Sequence, residues 1–311
     1  MAFTTDDLIS SIQRGVTLPS YDPLLSTNDL LAFATEEMQT KIVPIIRALR
    51  QEYFVVSDEV ALVDQQDVYT IPERAIGRTL RDLKLVSTSN YKRKLVMIPI
   101  EEEHLYTNGG TSGEPIAFFP KGDTIVVRPK PIVNTAYYLQ MWYEQRPSEL
   151  IQVANGGIIQ AIDTVNSIIT VDTVPQNASV STTLDIISQL GGHPFIGTDL
   201  PIVAVTGFNI QLSALPTKIA LGQYVAQANH SQVVQLPNEC FPVLAQAVQC
   251  RILEAIGDME NLQAAKQTLT EKIIDMQKLL APRNEGSQQK VTNNNGLLRR
   301  TNQRRFVRRF Y

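Results

Sequence analysis

The sequence contains no run approaching the roughly 18 consecutive apolar residues that a membrane-spanning helix requires. Met1 to Arg14 also lacks the apolar stretch of a secretory signal. The chain is therefore expected to be made in a cytoplasm and to have no membrane partner. Cysteine is scarce: among 311 residues only Cys240 and Cys250 occur. They fall in one expected helix, about 15 Å apart at ~1.5 Å per residue, which is too far for a disulfide. They read as buried thiols in a reducing compartment. The three histidines, His104, His193 and His230, are scattered, and none has a cysteine, histidine or acid pair at metal-ligand spacing. There is no Walker-type phosphate loop, no G-x-G-x-x-G, no G-x-S-x-G and no H-E-x-x-H. Neither catalysis nor a cofactor or metal is expected.

Four shorter signals have ordinary readings. Glu101-Glu102-Glu103 before His104 could be taken as a metal cluster, but consecutive acids on a short helix diverge, so a solvated face is expected. Gly191-Gly192-His193-Pro194 reads as a loop turn. Asn177-Ala178-Ser179 and Asn229-His230-Ser231 match the glycosylation sequon, which without a secretory signal is chance.

What remains is an ordinary globular composition, 43% hydrophobic and 19% charged, enough to bury a core in one large domain or two. The net charge of −3 hides an asymmetry. Eight arginines and lysines against Glu285 give residues 283–311 a charge of +7, which leaves −10 on the rest. That is the pattern of an interaction tail on an acidic body.

Periodicity divides the chain. Leu8, Ile9 and Ile12 suggest a short helix ending near Gly15. After N-cap candidates at Ser26-Thr27-Asn28-Asp29, the residues Leu31, Ala34, Met38, Ile42, Ile45 and Leu49 mark one helical face. Pro44 predicts a kink there, or a second helix with the proline in its first turn. From about Val55 the pattern turns to β. Hairpins are expected over 82–86 with 94–98, and over 116–119 with 124–128. Tyr137, Leu139, Met141 and Tyr143 alternate as a half-buried strand. Further short strands follow at 158–162, 168–171, 184–187, 202–205 and 208–212, suggesting a sandwich or barrel. Helix returns after Pro237-Asn238, with Leu244, Val248, Ile252 and Ala255 on one face and a break at Gly257. Leu262, Ala265, Leu269, Ile273, Met276 and Leu280 form the next face, and Pro282 stops it.

The expected fold is therefore α+β. N- and C-terminal helices (1–54 and 237–282) form one bundle, because neither end can bury its apolar stripe alone. Two antiparallel β modules (55–148 and 149–236) are inserted between them, and 283–311 is a flexible linker with a docking arm.

The arm carries the functional signal. Leu297, Leu298, Arg299, Arg300, Arg304, Arg305, Phe306, Val307, Arg308, Arg309, Phe310 and Tyr311 interleave paired arginines with apolar residues. In a nucleic-acid arm, arginines would neutralise phosphates and aromatics would stack on bases. In a protein-docking peptide, Phe306, Val307, Phe310 and Tyr311 would anchor while arginines pair with carboxylates. The third reading is a solvated basic tail. Apolar residues gain nothing by staying in water, and the arginine fork suits specific partners, so docking is favoured.

Several segments together resemble the head-to-tail adaptor (connector) proteins of tailed bacteriophages, particularly short-tailed ones. They are Gly113-Glu114-Pro115-Ile116, Gly122-Asp123-Thr124-Ile125 running to Pro129-Lys130-Pro131, and Tyr143-Glu144-Gln145-Arg146-Pro147. Arg50-Gln51-Glu52-Tyr53-Phe54 and Val68-Tyr69-Thr70-Ile71-Pro72 fit as well. The likeness covers about residues 26–150 and 238–311. It implies a structural virion protein at the head–tail interface, a homo-oligomeric ring commonly of twelve copies bound beneath the portal protein. Tail nozzle or tail fibre proteins would lie below, and DNA would be only passing cargo. It also implies that Arg299 to Tyr311 reach into the portal. The long segment 149–236 departs from a minimal adaptor. Two alternatives stay open: another tail or baseplate component whose β modules bind fibre or receptor, and a nucleic-acid-binding protein using the basic tail.

Overall fold

The apolar faces at the two ends of the chain cover each other. The computed structural model describes residues 3–16, 25–87, 92–106, 112–132, 137–189 and 195–281. Helices α1 (Thr5–Val16), α2 (Thr27–Glu37) and α3 (Val43–Leu49) come from the N-terminal part, and α4 (Phe241–Ile256) and α5 (Met259–Leu280) from the C-terminal part. α4 packs against α1, α2 and α5. Leu8, Ile12, Leu31, Met38, Ile46, Leu244, Val248, Ile252, Met276 and Leu280 share one core. Ser26 is the residue that caps α2: its hydroxyl accepts from the Asp29 N–H, and its own N–H donates to the Asp29 carboxylate at 2.9 Å. Gly257 ends α4 with φ +84°, and Asp258 caps α5.

Between α2 and α3 lies one π turn, Met38–Ile42, in which the Val43 N–H reaches the Met38 carbonyl. It sits just ahead of Pro44, which occupies the first turn of α3 and has no N–H to donate. The wider turn shifts the buried face by one residue. Ile46 is fully buried, whereas Ile45 and Leu49, which the regular spacing placed inside, are only half-buried against the same core.

The next segment builds two four-stranded sheets. One has the order β1 (Val55–Ala61), β8 (Tyr137–Gln145), β3 (Ala75–Ser87), β4 (Lys92–Lys94). The other runs β2 (Val68–Thr70), β7 (Thr124–Arg128), β6 (Ala117–Lys121), β5 (Val96–Met97). Their facing sides share a core of Leu83, Leu85, Leu139 and Met141 with Phe118, Ile125 and Val127. Lys121 pairs with Thr124, so Gly122-Asp123 is a two-residue turn, and Gly122 supplies the positive φ of +59° it needs. The strand expected at 94–98 is split. Leu95 is buried between the sheets, and the chain turns the corner there, leaving Lys92–Lys94 with β3 and Val96–Met97 parallel to β6.

A closed barrel follows, with strand order β10 (Gly157–Asp163), β11 (Ile168–Val171), β14 (Asn209–Leu212), β13 (Gly197–Thr206), β12 (Thr183–Ile187), β15 (Tyr224–Gln227). Its interior is filled by Ile159, Ile169, Leu184, Ile186, Ile210 and Val225. Phe208, expected as the first residue of a strand, instead lies exposed in the turn before β14, because Gly207 turns the chain with φ +59°. The two ends of the barrel segment run side by side as short parallel strands, β9 (Glu149–Leu150) and β16 (His230–Ser231). Phe3 and Thr5 bond to the chain just past β16, at Val234 and Gln232. The architecture is the expected α+β, with terminal helices bundled and a β insertion that is antiparallel except for the short β5–β6 and β9–β16 pairings.

Candidate functional site

Both cysteines and both described histidines are engaged within the fold. Cys240 and Cys250 are buried, and burial pushes the Cys240 thiol up to about 12 and raises that of Cys250. His104 bonds through Nδ1 to the Glu101 carbonyl, and His230 through Nδ1 to that of Ala228. Glu101 and Glu102 are exposed on a 3-10 turn. Glu103, expected on the same solvated face, instead pairs with Arg128, whose guanidinium also meets Asp67. Among the described residues no three histidine, cysteine, aspartate or glutamate side chains could hold a metal ion. No helix among them is long and apolar enough to cross a membrane. The turn at Gly191 to Pro194 lies outside the described residues, as do all twelve docking-arm residues from Leu297 to Tyr311.

The structure does fix where the arm's root lies. α5 ends at Leu280, and the Arg50 Nε donates to the Leu280 carbonyl at 3.3 Å. Arg50 is five residues ahead of β1, so the chain leaves the bundle beside the start of the first β sheet.

The strongest electrostatic feature was not visible in the sequence. Arg74, in the loop between β2 and β3, donates from Nη1 to Asp185 Oδ2 at 2.8 Å and from Nη2 to Oδ1 at 2.9 Å. Its Nη2 also reaches Asp199 at 2.8 Å. Asp185 lies on β12 and has no exposed surface; it also accepts from the backbone N–H groups of Asp199 and Asn229. Burial pushes its carboxyl upward against the opposing pull of Arg74 and the Asp199 N–H. Asp185 and Asp199 in turn hold Arg74 firmly charged against its own burial. The arginine thus bolts the paired sheets to the barrel. The one sequence clue is a lone acid inside the apolar run Leu184-Asp185-Ile186-Ile187.

Around this bolt the parts of the molecule are tied together. Gln39 of the π turn donates to the Pro147 carbonyl, the Leu150 N–H to Thr35 of α2, and the Ser148 N–H to Gln235. The barrel segment is therefore held to the bundle by short strands and hydrogen bonds, and to the paired sheets by one buried ion pair.

A family model described as SU10 adaptor protein matches residues 3–176, more than half of the chain. The chain belongs to the SU10 adaptor protein family. The match takes in α1 to α3, both sheets and the first strands of the barrel; of the two spans that carried the resemblance to phage head-to-tail adaptors it contains 26–150 and does not reach 238–311. A structural adaptor family implies a non-enzymatic role and a place in the virion. No curated protein matches the chain.

Proposed function

We propose that this member of the SU10 adaptor protein family forms a ring beneath the portal, twelve copies in our reading, and links the portal to the tail. The ring leaves a channel for DNA. Residues 1–54 and 237–282 make the ring body, and the β modules 55–148 and 149–236 project from it, the second toward the tail nozzle or fibres. The arm, Leu297 to Tyr311, docks into the portal.

The distribution of charge carries this reading: +7 on residues 283–311 against −10 on the rest. An acidic conduit repels phosphate and lets DNA pass without sticking. A basic, apolar arm at the end of a 30-residue reach binds at an ordering cost but can wrap a groove on a partner. A ring of weak arms attaches through avidity rather than through strong single contacts. Electron microscopy of the purified protein mixed with its portal tests the reading. A ring of this protein seated under the portal is expected; separate particles under conditions where the portal is intact would refute it.

A further inference from the structure

The first sheet has an edge with which no strand of the described structure pairs. β1 is terminal in its sheet and pairs only with β8, in unbroken register from Val55↔Glu144 to Ala61↔Tyr138. Seven residues of strand with no bulge present free backbone donors and acceptors, a ready template for another strand. The opposite edge, β4, is only three residues long. Along the β1 edge lies a groove of about 340 Å³, lined by Val56, Trp142 and Tyr143 of the sheet and by Phe195 and Thr198 at the start of the barrel's β13. That volume is in the range that holds small ligands or a few side chains. No lysine or arginine lines it; Asp58 does, and Glu59 follows on the same strand. Both acids are exposed. Their only side-chain hydrogen bonds are to the Glu59 N–H and to Gln140, and neither forms an ion pair among the described residues.

We propose that this groove holds the end of the chain's own arm, Arg304 to Tyr311, before the arm meets its partner. Acids on an open edge repel a second copy of the same edge, since like charges oppose across paired strands. The same acids attract a basic strand. In an extended Arg304–Tyr311 segment each side of the ribbon would carry two arginines and two apolar or aromatic residues: Arg304, Phe306, Arg308 and Phe310 on one, Arg305, Val307, Arg309 and Tyr311 on the other. Either side can meet an acidic, aromatic groove with charge and ring together. The arm's root is close, because Leu280 is bonded to Arg50, five residues before β1. Thirty residues span at most roughly 100 Å, ample to return to the groove. Tethering gives an effective concentration of about millimolar, so even a weak groove is filled in cis and still yields to a higher-affinity socket. The contact would keep apolar anchors out of water in the free protein and release them on assembly.

This rests on the arm being a docking peptide, and the test separates the two ideas. Trp142, the single tryptophan of the chain, lines the groove and reports on it. Quenching of its fluorescence by acrylamide is compared in the full chain and in a truncation lacking Leu297 to Tyr311. A synthetic 297–311 peptide is then titrated into the truncation. Quenching should rise on truncation and fall back saturably with peptide, and Asp58→Lys should weaken peptide binding by about tenfold or more. Unchanged quenching on truncation, or peptide binding indifferent to Asp58→Lys, overturns the proposal. Protection that appears only as protein concentration rises overturns the cis arrangement in favour of a neighbouring copy. Portal binding by full-length Asp58→Lys is read separately: its retention shows the docking arm intact whatever happens at the groove.

Discussion

Arg74 and Asp185 face each other through two parallel hydrogen bonds of 2.8 and 2.9 Å, although 111 residues separate them. Both are almost wholly buried, so neither can be repaid by water if the other is lost. Asp185→Ala should cost about 3–5 kcal/mol, because it leaves the buried guanidinium with Asp199 as its one remaining carboxylate and strands two backbone N–H groups. The pair Arg74→Met with Asp185→Asn removes the charges and keeps an acceptor for one of the two backbone N–H groups, which reach different oxygens, Oδ1 from Asp199 and Oδ2 from Asn229. It should recover part of that loss. Denaturant unfolding of the single and double variants checks this, and additive losses would show that the two residues are not coupled.

Two glycines should respond differently to alanine. A Cβ at Gly157 would lie 2.2 Å from the Thr173 carbonyl oxygen, a backbone atom two residues past β11, so relief requires β10 or that chain to shift. At Gly122 a Cβ meets nothing within 4 Å, and only the positive φ of +59° resists it. Gly122→Ala should cost about 1–2 kcal/mol, and Gly157→Ala about 1–3 kcal/mol together with distortion of the barrel. Thermal unfolding gives the size, and amide exchange across β10 and β11 shows the distortion for Gly157 alone.

The thiols should be inert in the native protein. Burial holds Cys240 in its neutral form with a pKa of about 12 against the ordinary 9.0. Maleimide at pH 8 should leave both cysteines unmodified until denaturant is added. The folded state binds the Cys240 proton more tightly than the unfolded state does. Its stabilising contribution is therefore full below about pH 9 and is lost as pH climbs toward 12. Rapid native labelling of Cys240 would contradict this.

Asp29 gives the opposite sign. The Ser26 hydroxyl and N–H hold its carboxyl below the ordinary 3.8. Its support of the α2 N-terminus is present above that ordinary value and is lost as pH falls through the lower folded one. Amide exchange at Asp29 should accelerate at that acid limit, and Asn in its place should remove the pH dependence. Identical acid profiles for the two proteins would count against the cap.

The helical faces were legible because their periods are local. Leu262 through Leu280 needs only α5 to be recognised, and the Gly122-Asp123 hairpin needs only its own turn. The shift from Ile45 to Ile46 was hidden because one π turn changes the phase without changing composition. The split at Leu95 depends on where a second sheet lies, and the Arg74–Asp185 pair joins residues that only the closed barrel brings together. For the arm the order is reversed: composition and charge identify Leu297 to Tyr311, while the fold supplies only its root beside Arg50.

The most direct measurement of the account is deletion of Leu297 to Tyr311, followed by sedimentation with the portal protein. The truncated chain should keep the circular dichroism and unfolding midpoint of the full chain, since its cores lie within residues 3–281. It should also sediment apart from the portal under conditions where the full chain travels with it. A folded truncation that still sediments with the portal would contradict the account.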